Sequence, residues 1–339
     1  MALPDYAMQP EPQLVMRPLT LDDAPPAVAL FNVLNRLYVG HEIDNAGDLR
    51  RDWSVPGFDL EHSALGVFEG RRMVGFVQIS DTSSVPVNPE VWFRVHPDYF
   101  GTSLGRDLLA WGEQRARQVF GRLPPDVRVV LQADVYSTDA YSRHTLQAAG
   151  FAMTDHGWLR MVIEFDEAPQ RPQWPTGYSL TTAAELSDTR PIYRALKAAF
   201  LDHRGHVRED FEAAFSRWHA HLTSDPLFEP ELLFGLVYGG EIVGTLLCRP
   251  QSWGYPERAY ISSLGVVREH RRKGLAKTLL LHGFDTLWRR GARAVDLYVD
   301  NASPTGAHRL YEQAGMRVDI RFHALEKELR PGRSLTDTD

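Results

Sequence analysis

The sequence predicts an α+β protein that consists of two tandem domains of the same kind. Its 339 residues suit two domains of roughly 150 residues better than one. Strand and helix patterns recur in the same order in both halves. The dipeptide Val74–Gly75 in a hairpin of the first half corresponds to Val243–Gly244 in the second, and Gly150 behind a helix corresponds to Gly315. We therefore infer a tandem duplication.

The first domain is predicted over residues 13–165. Apolar and β-branched runs between turn residues indicate strands, and apolar residues at helical spacing indicate helices. The polar, proline-rich residues 1–12 are predicted to be disordered. In chain order, the pattern predicts a strand at 14–20, a helix at 22–38, a hairpin at 64–80, a strand at 91–95, a helix at 103–119, a strand at 127–135, a helix at 140–149 and a strand at 158–165.

The second domain is predicted over residues 177–330, after a proline-rich linker at residues 166–176. Residues 331–339 are predicted to form a disordered tail. The order of the first domain is repeated as a strand at 177–183, a helix at 187–201, a polar and aromatic insert at 202–230, a hairpin at 232–249, a strand, turn and helix at 260–281, a strand at 294–300, a helix at 304–314 and a strand at 316–325.

Bulk composition narrows the range of functions. The net charge of −7 argues against a nucleic-acid partner, which would need a basic surface. The single cysteine, Cys248, excludes an internal disulfide and a multi-cysteine zinc site, and its apolar strand predicts core packing. The N-terminus lacks the pattern of a signal peptide, and no stretch reaches the ~20 apolar residues of a membrane span. We expect a cytoplasmic protein without a membrane partner.

The strongest chemical signal is residues 260–281, where an apolar strand runs into a basic turn that opens a helix at Gly274. The turn carries the consecutive cations Arg271, Arg272 and Lys273. Free N–H groups in the first turn of a helix attract anions, and the helix dipole adds to this attraction. The stretch therefore predicts an anion-binding site.

The same turn resembles the cofactor loop of the GNAT superfamily of N-acetyltransferases. The family pattern Q/R-x-x-G-x-G/A is met by Arg271, Gly274 and Ala276. Further along, residues 303–316, SPTGAHRLYEQAGM, are similar to the family segment N-P-T-G-A-x-x-L-Y-E-x-x-G-F, with serine for the first asparagine and methionine for the last phenylalanine. The resemblance covers essentially the whole second domain.

This resemblance implies two tandem GNAT-type domains, each a central mixed, largely antiparallel sheet flanked by helices. The chain is similar in this to tandem GNAT proteins of the mycothiol synthase type, in which one module carries the acetyl-donor site and the other is degenerate. The first domain departs from the pattern accordingly. Phe-Gly-Thr at 100–102 replaces the cations at 271–273, Ser103 replaces Gly274, and Leu146 replaces a tyrosine of the second domain. We expect its cofactor site to be degenerate.

The resemblance further implies acetyl-CoA as the acetyl donor and no metal. Backbone N–H groups of the turn would cradle the pyrophosphate, and its cations would add charge. A splay between the strands at 260–266 and 294–300 would open a slot for the thioester, with strand backbone pairing the pantetheine amides. The predicted cofactor-binding residues are Leu264, Val266, Arg271, Arg272, Lys273, Gly274, Leu275, Ala276, Lys277 and Asn301.

Tyr311 is the predicted catalytic residue. The resemblance implies this role because Tyr311 occupies the family's tyrosine position, and a phenol is able to protonate a leaving thiolate. The general base is left open. It is either an ordered water or one of four side chains on or beside the central strands. These are Glu257, Tyr260, Ser262 and Asp300.

The insert at 202–230 is rich in histidine, but its spacings do not match a metal site. We predict a solvated helical face with a packed Trp218 instead. The histidines are His203, His206, His219 and His221. Three carboxylates of the insert are expected to attract a cationic amine. They are Asp202, Glu209 and Asp210.

These observations predict an acetyl-CoA-dependent N-acetyltransferase that acts on the primary amine of a small molecule, at a site in the second domain. The expected acceptor is a sugar-, amino-acid- or antibiotic-like compound. Two alternatives stay open at this point. One is a non-catalytic acyl-CoA-binding or interaction protein, and the other is an acetyltransferase of protein N-termini or lysines. The predicted assembly is a monomer or a homodimer.

Overall fold

The computed structural model describes residues 13–55, 57–202, 209–303 and 305–336. The N-terminus predicted to be disordered, together with His203 and His206 of the insert, lies outside the described residues. Contacts divide the chain into two compact units. One comprises the described residues up to Ser80 together with Val91–Arg115, and the other comprises Asp81–Glu90 together with the described residues from Ala116 onwards.

The first unit places one long helix against antiparallel strands. Its elements, with those that continue across its boundary, are β1 (Leu14–Pro18), α1 (Ala24–Tyr38), α2 (Ala46–Trp53), α3 (Leu60–Ser63), β2 (Ala64–Glu69), β3 (Arg72–Ser80), β4 (Glu90–Val95) and α4 (Leu104–Ala116). β2 pairs with both β1 and β3. α1 buries Leu30, Phe31 and Leu34 in a core that includes Phe76 of β3. Its prolines stand in the first turn, where an N–H has no acceptor within the helix.

The second unit contains the strands and helices that follow. They are β5 (Val129–Tyr136), α5 (Ala140–Ala148), β6 (Ala152–Met153), β7 (Trp158–Glu164), β8 (Tyr178–Thr182), α6 (Arg190–Ala199), α7 (Phe211–Ser224), β9 (Leu233–Tyr238), β10 (Glu241–Arg249), β11 (Ala259–Val266), α8 (Leu275–Arg289), β12 (Ala294–Asp300), α9 (Ala307–Gln313) and β13 (Arg317–Arg330). The sheet order is β5-β13-β7-β12-β11-β10-β9-β8. α8 packs Leu279, Leu280 and Phe284 into the core beneath β10 and β11.

The last strands of the two repeats are exchanged. β7, which the sequence places in the domain at 13–165, pairs with β12 and with the first part of β13. The rest of β13, from Phe322 to Arg330, pairs with β5 instead of staying with the domain at 177–330. Order along the chain does not reveal this exchange, because a strand joins whichever edge satisfies its backbone hydrogen bonds.

Residues 331–336 were expected to belong to a disordered tail, but they carry backbone hydrogen bonds. The Arg333 N–H donates to the Asp126 carbonyl at 2.7 Å, and the Arg128 N–H donates to the Arg333 carbonyl at 2.9 Å. The backbone after β13 is therefore fixed by hydrogen bonds to the segment at 126–128. The predicted α+β class is confirmed. Within the described ranges, no helix has both the length and the apolar character needed to cross a membrane.

Candidate active site

The sheet opens between β11 and β12. These parallel strands pair with each other only at their starts, Ala259 with Val295 and Tyr260 with Asp296. Beyond these residues both strands continue, but they no longer pair with each other. On its other edge β11 stays paired with β10, with a register shift that leaves Ser262 as an extra residue. The separation forms the predicted slot. β11 faces this slot with the edge that carries the backbone groups of Leu264 and Val266. Along that edge these two residues pair with no described strand.

The loop after β11 forms an open cradle of backbone donors. Arg272 has φ 63° and Gly274 has φ 77°, so the chain turns sharply into α8. The consecutive N–H groups of residues 272–277 have no hydrogen-bond acceptor in the part of the chain that the structure describes. A Cβ at Gly274 would meet nothing within 4 Å, so glycine is required there for its left-handed φ rather than for lack of space. The loop is built to receive an anion.

Three of the predicted loop cations are free and one is not. Arg272, Lys273 and Lys277 are exposed and form no ion pair with a described residue. Arg271, in contrast, is fully engaged. Its Nε donates to the Val266 carbonyl at 3.1 Å, and its Nη atoms donate to Asp202 at 2.6 Å and to the Ala199 carbonyl at 3.0 Å. Arg271 therefore fastens the loop to the end of α6, and its predicted contribution of charge to the anion is not supported.

The carboxylates of the insert are also engaged, which corrects the expectation that they attract an amine. Asp202 binds Arg268 and Arg271, and the hydrogen bond from Arg271 lowers the pKa of its carboxyl. Glu209 pairs with Arg217, and Asp210 caps α7. The helix itself packs Trp218 against Tyr193 and Phe215. Among the described residues, no three side chains of histidine, cysteine, aspartate or glutamate are grouped as a metal site would require.

The corresponding loop of the first repeat lacks these features. Phe100 packs its ring against the core of the first unit. The Thr102 N–H donates to the Tyr99 carbonyl at 3.2 Å, and the Thr102 hydroxyl accepts the N–H of Leu104 at 3.3 Å. The two donors that correspond to the N–H groups of Lys273 and Leu275 are therefore occupied by the protein itself. This observation supports the prediction that the first cofactor site is degenerate.

Tyr311 lies on α9 with 7% of its surface exposed, and its hydroxyl has no hydrogen-bond partner among the described residues. Burial raises the pKa of this phenol to about 12. It therefore stays protonated at neutral pH and is available to a ligand. Asn301 is engaged instead. Its N–H donates to the Gly157 carbonyl at 2.9 Å, and its side-chain oxygen accepts the Gly157 N–H at 3.0 Å. Asn301 thus anchors the segment before β7, a role that the sequence did not predict.

The four candidate bases separate into two groups. Glu257 and Asp300 already have partners in the protein. Oε1 of the exposed Glu257 lies 3.7 Å from Nε of Arg258, and the Asp300 carboxylate accepts the N–H of Ala302. Tyr260 and Ser262 stand at the slot, where burial raises the pKa of Tyr260 well above its usual range.

The structure adds two charged residues that the sequence did not single out. Asp296 pairs with Tyr260 at the vertex of the splay and forms an ion pair with Arg160 of β7. Both side chains are almost completely buried, at 0% and 1% exposed. Burial raises the pKa of Asp296 against the opposing influence of Arg160. The only signal in the sequence was one charge in the interior of each of two apolar strands, whose other charges, Glu164 and Asp300, stand at the strand ends.

Comparison with known proteins identifies the family. A model of the acetyltransferase (GNAT) family matches residues 192–316. The crystal structure of a GCN5-related N-acetyltransferase from Sphaerobacter thermophilus is 30% identical with a TM-score of 0.81, and the match covers 97% of this chain and 99% of that one. The chain belongs to the GNAT acetyltransferase family.

Further GNAT relatives extend over most of the chain. A mycothiol acetyltransferase of Streptomyces bingchenggensis (strain BCW-1) is 26% identical over 246 residues, which are 71% of this chain and 73% of that protein. A tandem GNAT protein from the clavulanic acid biosynthesis pathway has the same fold at 18% identity, with a TM-score of 0.69 over 95% of this chain and 100% of that one. The predicted tandem GNAT fold and the predicted N-acetyltransferase class are thereby confirmed.

Proposed function

We propose that this N-acetyltransferase uses acetyl-CoA and transfers the acetyl group to the primary amine of a small molecule, at the splay of the second repeat. The observation that carries the proposal is the open cradle at residues 272–277, where the N–H groups and three exposed cations have no partner among the described residues. A pyrophosphate fits this donor set because it presents several negative oxygens to a helix N-terminus.

The residues of the site have separate roles in this reaction. Acetyl-CoA supplies an activated acetyl thioester when it is bound. The cradle and the cations Arg272, Lys273 and Lys277 hold the pyrophosphate, and the open edge of β11 aligns the pantetheine arm. Transfer forms a bond from the amine nitrogen to the carbonyl carbon and breaks the bond from that carbon to sulfur. The amine gives up one proton to the general base, which is an ordered water or a side chain at the slot. The Tyr311 hydroxyl supplies one proton to the leaving thiolate and regains one from solvent.

Thiol release tests the proposal. Purified protein is mixed with acetyl-CoA and a panel of small primary amines, and free coenzyme A is measured. We expect amine-dependent release together with protection of the fold by acetyl-CoA against heat. Protection without release from any small amine, but with release from peptides that carry a free N-terminus, would move the acceptor to proteins. Absence of both protection and release would refute the proposal.

A further inference from the structure

A row of aromatic rings crosses the sheet where β11 and β12 separate. Trp253, Tyr260, Tyr298 and Phe322 contact one another in that order, with ring centroids 4.9, 6.3 and 5.9 Å apart. Tyr260 is 8% exposed, whereas Trp253 and Tyr298 are 43% and 42% exposed. An exposed ring therefore stands on each side of the buried Tyr260, and exposed apolar surface of this kind often marks a binding site. This row begins at the vertex of the slot.

The charged side chains that border the row are already paired with one another. These pairs are Arg249 with Asp225 and Arg160 with Asp296. The Arg249 guanidinium also lies 4.0 Å from the centre of the Trp253 ring. Tyr298, in contrast, has ring contacts to Tyr260 and Phe322 and no cation over it among the described residues. The rings are tilted by 50–70° to one another, so the row offers apolar ring surface beside charges that are paired among the described residues.

Two buried oxygens at the vertex lack a partner among the described residues. Asp296 is bound by Arg160 through Oδ2, and its Oδ1 has no hydrogen bond. Ser262 Oγ on β11 is likewise buried and without a partner. The Nε and Nη1 groups of Arg160, which pairs with Asp296, are also buried without a hydrogen-bond partner among the described residues. Leaving buried polar atoms unsatisfied is unfavourable, so the vertex favours a polar ligand group. An amine nitrogen is a group that donates to a carboxylate oxygen such as Oδ1 of Asp296.

We propose that the acceptor is a primary amine joined to a planar aromatic ring by a short alkyl chain. The ring stacks on the exposed face of Tyr298, and the amine nitrogen donates to Oδ1 of Asp296 at the vertex. Offset or edge-to-face contacts between aromatic rings favour such a ligand. A sugar amine is disfavoured because its hydroxyls need polar partners around the whole sugar ring, where this row presents aromatic rings. The inference rests on the proposed function, since the thioester slot opens at the same vertex.

The test compares three probe amines, 2-phenylethylamine, n-hexylamine and glucosamine, with acetyl-CoA as donor. We expect 2-phenylethylamine to have the highest kcat/KM. Tyr298→Ala should raise the KM for 2-phenylethylamine about tenfold while changing kcat, and the KM for n-hexylamine, less than twofold. Tyr298→Phe is the matched control, and it should keep the KM of the wild-type protein because it keeps the ring.

Three outcomes would overturn the proposal. They are an unchanged KM in Tyr298→Ala, a higher kcat/KM for glucosamine than for 2-phenylethylamine, and protection by acetyl-CoA without turnover of any aromatic amine. Failure of the proposed function is distinguishable, because acetyl-CoA would then give no protection against heat to the wild-type protein.

Discussion

Replacing Gly274 by aspartate should strongly weaken acetyl-CoA binding. The added carboxylate would project into the space that the cradle leaves open, since a Cβ at this position meets nothing within 4 Å. At a separation of about 5 Å and an effective dielectric constant of about 20, repulsion from one pyrophosphate charge is ~3 kcal/mol. That energy weakens binding by about a hundredfold or more.

Thermal or chemical denaturation with and without ligand measures this effect. At a hundredfold excess over Kd, acetyl-CoA should add ~2.7 kcal/mol to the free energy of unfolding of the wild-type protein. At the same concentration, a complex weakened a hundredfold gains only ~0.4 kcal/mol. The variant should therefore lose nearly all of the protection.

Gly101→Asp in the first repeat is the matched control. Gly101 has φ 82°, close to the 77° of Gly274, and a Cβ there also meets nothing within 4 Å. Both variants place aspartate in a left-handed conformation and should lose about 1–2 kcal/mol of intrinsic stability. Only Gly274→Asp should lose protection by acetyl-CoA. Full protection of Gly274→Asp, or equal loss in both variants, would refute the assignment of the cradle.

Two further substitutions test the chemistry and the exchanged strand. Tyr311→Phe should lower kcat at least tenfold and leave acetyl-CoA protection intact, because it removes only the proton donor. With its pKa raised to about 12, the phenol is protonated below that pH, so an alkaline fall in kcat centred below pH 10 would contradict its role as the acid. Arg160→Met should cost about 3–5 kcal/mol of stability by leaving Asp296 buried without a partner. Adding Asp296→Leu to this variant should recover most of the lost stability. A double variant as unstable as Arg160→Met alone would show that the loss does not come from the uncompensated charge of Asp296.

The fold was predictable from the sequence where the signal is local. Hairpin turns, apolar periodicity and the repeated glycines indicated nearly all strands and helices in the right order. The exchange of β7 and the end of β13 was not predictable, because both possible partners of such a strand present similar free edges. Sequence order favours neither edge, and the choice depends on contacts between distant segments.

The candidate site divides in the same way. Gly274 and the exposed cations were predictable because a basic, glycine-containing turn at a helix start is typical of an anion-binding site. The engagement of Arg271 by Asp202 was not, since these residues are far apart in sequence and meet only when α6 packs beside the loop. Asp296 and Arg160 were missed for a related reason. Each is the one charge in the interior of an apolar strand, and only the exchanged strand brings them together.

Isothermal titration of the wild-type protein with acetyl-CoA tests the central claim most directly, because it counts the cofactor sites. One open cradle and one that lacks the cations and has two of its donors occupied predict a stoichiometry of one acetyl-CoA per chain. A stoichiometry of two, or a single site that persists with unchanged affinity in Gly274→Asp, would contradict the claim.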